Sequence, residues 1–302
     1  MTTLEKVLVI GANGLLGTKL IYYLQSQKYK QSYIPVAADI QNDLVPKNVE
    51  YKNIDITNKE NTINNITQIN PDVVILSAAF TNVDKNEDER ELAHNINSIG
   101  PENVALGCIK ADSKLIHMST DFIFDGTIGN YSEDDDPNPL SYYGKTKLEG
   151  EQRVIATGVE YLICRTSVLY GWYPARLNFI TWVLKSLEDG NEINITTDQI
   201  NSPTFANNLA EVLLHLIEYN KSDIIHTVGD CILNRYEIAI KCAEVFNLPQ
   251  KLIKPIESFK QKAIRPKKGS LNISKLKKIL GDRLKVFSLD EGLKFMREHR
   301  NL

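Results

Sequence analysis

Residues 7–17 read VLVIGANGLLG, an apolar run that is followed by glycines at positions 11, 14 and 17. The run 7–10 shows no polar alternation, which is typical of a strand buried on both faces of a parallel sheet. A helical pattern begins directly after the last glycine. Glycines at such a junction let the backbone approach a pyrophosphate, and the free N–H groups at the helix N-terminus would bind it. The stretch therefore predicts a dinucleotide site, with a tight turn that binds nothing as the alternative.

The loop and two aspartates are the first candidate cofactor contacts. In the loop these are Gly11, Asn13, Gly14, Leu15, Leu16 and Gly17. Asp39 ends the next apolar run, where a carboxylate can accept hydrogen bonds from both ribose hydroxyls of an adenosine. An ordinary aspartate in a strand-end turn is the alternative. Asp55 is predicted either to lie beside the adenine or to cap a helix that starts near Asn58.

Similar apolar runs recur along the chain and alternate with helical stretches. The runs are 34–38, 73–79, 115–118, 161–164 and 224–228. This alternation predicts an α/β fold with a Rossmann-type, doubly wound parallel sheet. We expect a dinucleotide-binding domain over residues 1–170 and a smaller, mostly helical substrate-binding part over 171–302, where prolines break the pattern. The strand near 224–228 is a candidate to return to the sheet.

The charge balance excludes several classes of protein. The 302 residues include 35 basic and 38 acidic side chains, a net charge of −3, whereas nucleic acids and anionic membranes select a basic excess. No apolar run approaches the ~18 residues of a membrane span. The four cysteines form no CxxC pair and no metal-type pattern with the five histidines. Their arrangement predicts free thiols, no metal site and a cytoplasmic location.

A Tyr-x-x-x-Lys pattern, Tyr143 to Lys147, opens a helical run one loop after the apolar run 115–118. Residues four apart on a helix share a face, so both side chains would point into one cleft. A free phenol has a pKa near ~10, and we expect the Lys147 cation to lower it so that Tyr143 can act as an acid. Thr120 supplies a hydroxyl that can hold the reacting oxygen. Ordinary loop and strand-end residues are the alternative.

Six further stretches complete the pattern. They are AAFTNVDK at 78–85, STDFIFDG at 119–126, NPLSYYGKTKLEGE at 138–151, RTS at 165–167, DQINSPT at 198–204 and RP at 265–266. Together they resemble the dTDP-4-dehydrorhamnose reductase family of extended short-chain dehydrogenase/reductases, in one consistent order over nearly the whole chain. The resemblance implies the NAD(P)H-dependent reduction of a 4-keto-6-deoxy sugar nucleotide, most specifically of dTDP-4-dehydrorhamnose to dTDP-rhamnose.

The resemblance also implies roles for individual residues. The catalytic triad would be Thr120, Tyr143 and Lys147, of which Tyr143 and Lys147 also contact the cofactor. Further cofactor contacts would be Asp55, Ile56, Ala78, Ala79 and Thr81. Sugar contacts would be Val83, Asp84, Thr120, Asp121 and Arg265. NADH is favoured over NADPH because Asp39 would repel a 2′-phosphate. The partners we expect are a sugar-nucleotide substrate and, as an open alternative, a second copy in a homodimer.

One position departs from the family's pattern, and two rival functions stay open. Where the family commonly has Trp after its Arg-Thr-Ser motif, this chain has Val168. The first rival is a sugar-nucleotide epimerase or dehydratase. The related dehydratases carry Glu where this chain has Phe122, and a phenylalanine ring cannot carry a proton as that carboxylate does. The second is a non-enzymatic role, because the regulatory subunit of methionine adenosyltransferase resembles the same family and keeps the Tyr/Lys pair.

Overall fold

Seven parallel strands form the central sheet of the computed structural model, which describes residues 4–258 and 261–300. These strands are β1 (Glu5–Ile10), β2 (Tyr33–Asp39), β3 (Glu50–Asn53), β4 (Val73–Leu76), β5 (Lys114–Thr120), β6 (Tyr161–Thr166) and β11 (Asp223–His226). Three small two-stranded sheets use β7 (Leu169–Tyr170), β8 (Ile193–Thr196), β9 (Ile200–Asn201), β10 (Thr204–Phe205), β12 (Leu233–Asn234) and β13 (Ile253–Ile256). The order β3-β2-β1-β4-β5-β6-β11 confirms the predicted doubly wound sheet.

Helices cover both faces of this sheet. They are α1 (Leu15–Leu24), α2 (Lys59–Ile69), α3 (Val83–Asp88), α4 (Arg90–His94), α5 (Gly100–Ala111), α6 (Tyr142–Ala156), α7 (Phe179–Glu188), α8 (Ala206–Leu216), α9 (Arg235–Phe246), α10 (Ser274–Leu280) and α11 (Leu289–Glu298). Within the described ranges, no helix combines the length and the apolar character that a bilayer crossing needs.

Strand β1 shows why the sequence of the central strands is apolar without alternation. Residues 7–10 are buried, and successive side chains of a strand point to opposite faces. Val7 and Val9 belong to the core that contains α1 and α8, whereas Leu8 and Ile10 belong to the core that contains α2 and α5. Both faces are therefore packed, and a polar side chain in this strand would be buried without a partner.

The chain beyond residue 170 returns to the first layer twice. Helix α8 packs against α1, with Leu213 and Leu20 in one core, and β11 extends the sheet beside β6, with Ile224 opposite Ile163. A separate core lies between α7, α9 and α11. The division at residue 170 stays a prediction, and the two parts of the chain interleave around it.

A buried ion pair fixes helix α6 to the two strands behind it. Arg165 on β6 donates to Glu151 on α6 through Nε at 3.1 Å and Nη2 at 2.8 Å, and both side chains are almost fully buried. Ser119 on β5 donates to the same carboxylate. The guanidinium carbon also lies 5.5 Å from the ring centre of Phe124. One carboxylate thus joins three elements, and its charge is tolerated there because it is paired and hydrogen-bonded.

Removing one partner of this pair should destabilise the fold strongly. We expect Arg165→Ala to lower the free energy of unfolding by about 3–5 kcal/mol, because the Glu151 carboxylate is left buried without its cation. Urea denaturation followed by circular dichroism measures the change. The control is Arg153→Ala, since Arg153 pairs with Glu149 and Glu102 at the surface and should cost less than about 1 kcal/mol. Equal losses in both variants would contradict this account.

Candidate active site

The glycine loop connects β1 to α1. Gly11 has φ +91°, which residues with a side chain rarely adopt, and a Cβ there would overlap the backbone nitrogen of Ala78. A Cβ at Gly17 would overlap the carbonyl oxygen of Gly11. Gly14 is the N-cap of α1 and has no side chain to bond the first N–H groups of that helix. Bare backbone beside helix N–H groups fits the pyrophosphate of a dinucleotide cofactor.

Asp39, at the end of β2, holds this loop in place. Its Oδ2 accepts from the Asn13 N–H at 2.9 Å, and its Oδ1 accepts from the Ile40 N–H at 2.8 Å. The Oδ1 of Asn13 accepts in turn from the Leu44 N–H at 2.9 Å. The structure therefore brings Asp39 against the glycine loop, a contact that the sequence did not predict. Its contact with a ribose stays a prediction.

The other predicted cofactor residues differ in how deeply they are buried. The side chains of Leu16 and Ile56 are buried in the two cores that flank the sheet. Asp55 accepts from Thr57 within a turn, at 2.9 Å from the N–H and 2.7 Å from the hydroxyl. Asn58, not Asp55, caps α2, so the capping alternative for Asp55 is wrong. Half-buried or exposed positions are found for Leu15, Ala78, Ala79 and Thr81.

The predicted catalytic side chains come together from β5 and α6. Thr120 ends β5, and Tyr143 and Lys147 lie one turn apart on α6. The Tyr143 phenol is within hydrogen-bonding reach of the Thr120 hydroxyl, and Lys147 donates to the Met118 carbonyl at 2.7 Å. All three side chains are buried. The structure thus gathers one phenol, one hydroxyl and one amine at the end of a central strand.

Burial controls the protonation of this group. It raises the pKa of Tyr143 to about 12, although the hydrogen bond with Thr120 acts in the opposite direction. It lowers the pKa of Lys147 to about 8, although Glu151 favours the cation. The expectation that Lys147 lowers the Tyr143 pKa is therefore wrong for this structure, because desolvation of the phenol is the largest effect. Tyr143 is protonated at neutral pH, which is the state that a proton donor needs.

The predicted sugar contacts include one buried acid and one ion pair. Asp121 is 2% exposed and accepts from Ser167 Oγ at 2.7 Å and from Thr120 Oγ1 at 3.1 Å. Burial raises the pKa of Asp121 to about 6. Asp84, next to the half-buried Val83, accepts from both nitrogens of the Arg265 fork at 3.1 and 2.9 Å. Asp84 and Arg265 thus bind each other and join the two parts of the chain.

A π-helical turn over Asn95–Ile99 carries a residue that the sequence analysis missed. Asn97 is buried, and its Oδ1 accepts from the Phe80 N–H at 2.9 Å. Its Nδ2 lies 3.2 Å from both Asn86 Oδ1 and Thr146 Oγ1. Asn97 therefore connects the loop after β4 to the helix that carries Lys147. Single π-turns are frequent at functional sites, and the helical pattern of the surrounding sequence gave no signal for this one.

A loop from the second part of the chain reaches the glycine loop. The Tyr173 hydroxyl donates to the Asn13 carbonyl at 2.5 Å, and Arg176 donates to Thr81 Oγ1 at 3.3 Å. Both acceptors lie on loops that follow central strands. Val168, shortly before, has φ +43°, which is rare for a β-branched residue and places backbone strain beside this site.

Comparisons with known proteins agree with this geometry. The family model described as "RmlD substrate binding domain" matches residues 5–296. The dTDP-4-dehydrorhamnose reductase of Aggregatibacter actinomycetemcomitans is 30% identical over 292 residues, which are 92% of this chain and 94% of that protein. Methionine adenosyltransferase 2 subunit beta of Xenopus tropicalis is 32% identical over 283 residues, which are 91% of this chain and 82% of that protein.

A solved structure gives the same result. The crystal structure of dTDP-4-dehydrorhamnose reductase from Bacillus anthracis in complex with NADP matches with a TM-score of 0.88 and 31% identity. The match covers 98% of this chain and 100% of that one. Sequence and fold therefore agree from end to end, and the chain belongs to the dTDP-4-dehydrorhamnose reductase family of NAD(P)-dependent oxidoreductases.

Proposed function

We propose that this protein reduces the 4-keto group of a 6-deoxy sugar nucleotide, with dTDP-4-dehydrorhamnose as substrate and dTDP-rhamnose as product. The observation that carries the proposal is the buried cluster of Thr120, Tyr143 and Lys147 in a chain whose glycine loop fits a dinucleotide. The reductases to which the chain is similar support it. The experiment is to mix the protein with dTDP-, UDP- and GDP-linked 4-keto sugars and to follow NADH and NADPH oxidation.

The residues divide the work of the reaction. When bound, the nicotinamide supplies a hydride to the carbonyl carbon. The loop 11–17 would hold the cofactor's pyrophosphate, because its bare backbone lets N–H groups approach the phosphate oxygens. The amine of Lys147 would bind the cofactor's ribose. The hydroxyls of Thr120 and Tyr143 would hold the carbonyl oxygen, and Tyr143 would transfer its proton to that oxygen as negative charge develops there. As a cation, Lys147 would bind the ribose hydroxyls more strongly than as a neutral amine.

Two rival functions make different demands on this site. A dehydratase needs a carboxylate where this chain has Phe122, and that ring instead packs edge-on against Tyr143 with centres 5.5 Å apart. A regulatory role without turnover is the second candidate, because the Xenopus subunit is 32% identical over most of this chain. Turnover of any 4-keto sugar would exclude a purely regulatory role. Stable co-purification with a synthetase and no turnover would favour it.

Loss of the phenol should remove chemistry without removing the cofactor. We expect Tyr143→Phe to lower kcat by ~10²–10⁴-fold, because a general acid is lost while the ring keeps its packing against Phe122. Steady-state rates and the NADPH dissociation constant, measured by fluorescence, separate the two effects. The matched control is Tyr142→Phe at the neighbouring position, whose ring packs under Arg90. A near-normal kcat in Tyr143→Phe would refute this mechanism.

The rate should fall at alkaline pH as Lys147 loses its charge. Burial lowers the pKa of Lys147 from 10.5 to about 8, so the amine is a cation below that pH and neutral above it. We therefore expect kcat to decline above about pH 8, well before Tyr143 ionises with its pKa of about 12. The measurement is kcat against pH for the wild type and for Lys147→Ala. A wild-type profile that stays level up to pH 10 would remove Lys147 from this role.

Cofactor preference should follow the charge of Asp39. A 2′-phosphate beside this carboxylate costs free energy, so we expect NADH to give the higher kcat/KM. Asp39→Ala should narrow or invert the preference, but it also removes the hydrogen bonds to Asn13 and Ile40. Asp39→Asn is the better variant, since it removes the charge and keeps an acceptor for one of those N–H groups. A tenfold preference of the wild type for NADPH would contradict the assignment.

A further inference from the structure

Arg235 is an arginine whose guanidinium makes no direct ion pair with the described residues, and it lies in the region of the predicted sugar contacts. It is the first residue of α9, and its guanidinium carbon lies 4.6 Å from the ring centre of Phe179. Over residues 4–258 and 261–300, no carboxylate lies within 4.0 Å of its side chain and no hydrogen bond engages the guanidinium. The charged groups that it faces are Asp121 and Arg265.

Neither of those two groups pairs directly with Arg235, although the charge of Asp121 favours the cation. Asp121 already accepts from two hydroxyls, those of Ser167 and Thr120. Arg265 has the same charge and is itself paired with Asp84. Arg235 is half-buried, and burial lowers the pKa of its guanidinium to about 10. Among the described residues no acceptor engages its donor nitrogens, so the planar fork is available to an anionic ligand.

The residues beside Arg235 are polar, and one of them has an acceptor atom without a hydrogen-bond partner among the described residues. Arg235 follows β12, which pairs with β9, and Asn201 of β9 is 5% exposed with its Oδ1 lacking a hydrogen-bond partner within the described part of the chain. Gly269 lies between Asn201 and Asp121, because a Cβ there would be 3.5 Å from Asn201 Nδ2 and 3.0 Å from Asp121 Oδ2. Asn201 and Asp121 thus offer acceptors for sugar hydroxyls, and the guanidinium of Arg235 offers donors for an anion.

We propose that Arg235 binds the diphosphate of the sugar nucleotide and that Phe179 orients its guanidinium for this contact. The inference rests on the proposed function, since a 6-deoxy sugar nucleotide carries its negative charge on the diphosphate alone. A guanidinium binds phosphate oxygens with two parallel hydrogen bonds, and stacking on a ring fixes its plane. Arg265 cannot replace it without leaving Asp84. Arg235 therefore selects substrates in which the sugar is linked to a diphosphate.

Calorimetric titration of the full chain tests this without relying on turnover. The protein is first saturated with NADPH, so that the glycine loop cannot bind the probe. The probes are dTDP, UDP, inorganic pyrophosphate and thymidine. We expect Arg235→Ala to weaken binding of the diphosphates and of pyrophosphate by about 10–100-fold and to leave thymidine binding unchanged. Arg235→Lys keeps the charge without the fork and should recover part of the loss.

Two further measurements separate binding from folding. Lys241→Ala is the matched control, because Lys241 lies on the same helix and pairs with Asp290, and it should leave every affinity unchanged. The Tm of Arg235→Ala should stay close to that of the wild type, since no hydrogen bond or ion pair with the described residues is removed. A large fall in Tm with unchanged affinities would overturn the inference and make Arg235 structural.

Other outcomes are equally decisive. Equal diphosphate affinities in wild type and Arg235→Ala, or no binding of any diphosphate by the wild type, would overturn the inference. A parallel loss of thymidine and dTDP binding would place Arg235 at the base instead. Arg235-dependent diphosphate binding without reduction of any 4-keto sugar would refute the proposed function and leave this inference standing. Reduction with Arg235-independent binding would do the reverse.

Discussion

The Glu151 carboxylate binds Arg165 on β6 and Ser119 on β5, so it fixes helix α6 where the central strands end. Lys147 and Tyr143 lie one and two turns earlier on the same helix, and they share the face that Glu151 anchors. The helix also approaches its neighbours closely, because a Cβ at Gly150 would overlap the Asn97 carbonyl oxygen. Catalytic groups lose rate when they are displaced by about 1 Å. The ion pair therefore matters for chemistry as well as for folding.

Two arginines in the second part of the chain, Arg235 and Arg265, lie within electrostatic range of each other and differ in their partners. Both terminal nitrogens of Arg265 donate to Asp84, and this pair connects the C-terminal segment to α3. The guanidinium of Arg235 donates no hydrogen bond to the described residues and stacks on the ring of Phe179. Arg265 thus joins two parts of the chain, whereas Arg235 remains available to a ligand. Proteins commonly accept such uncompensated groups where binding requires them.

Much of this architecture can be predicted from sequence, because it depends on local patterns. Unbroken apolar runs predicted the buried strands, and the glycines at 11–17 predicted the strand-to-helix turn. The YxxxK spacing placed Tyr143 and Lys147 on one helical face. What escaped prediction depends on contacts between distant residues. The π-turn at Asn97, the Asp84–Arg265 pair and the isolation of Arg235 arise only when separate elements meet. The raised Tyr143 pKa follows from burial, which a motif does not encode.

The way the chain re-enters the sheet limits how this protein can be recombined with its relatives. Strand β11 and helix α8 both follow residue 170, yet they complete the sheet and the core of the first part. A chain cut at residue 170 would leave the edge of β6 unpaired, and exposed strand edges promote aggregation. A hybrid that joins the first 170 residues to the second part of a relative must therefore take the strand beside β6 and the helix beside α1 from that relative, and both contacts would be new.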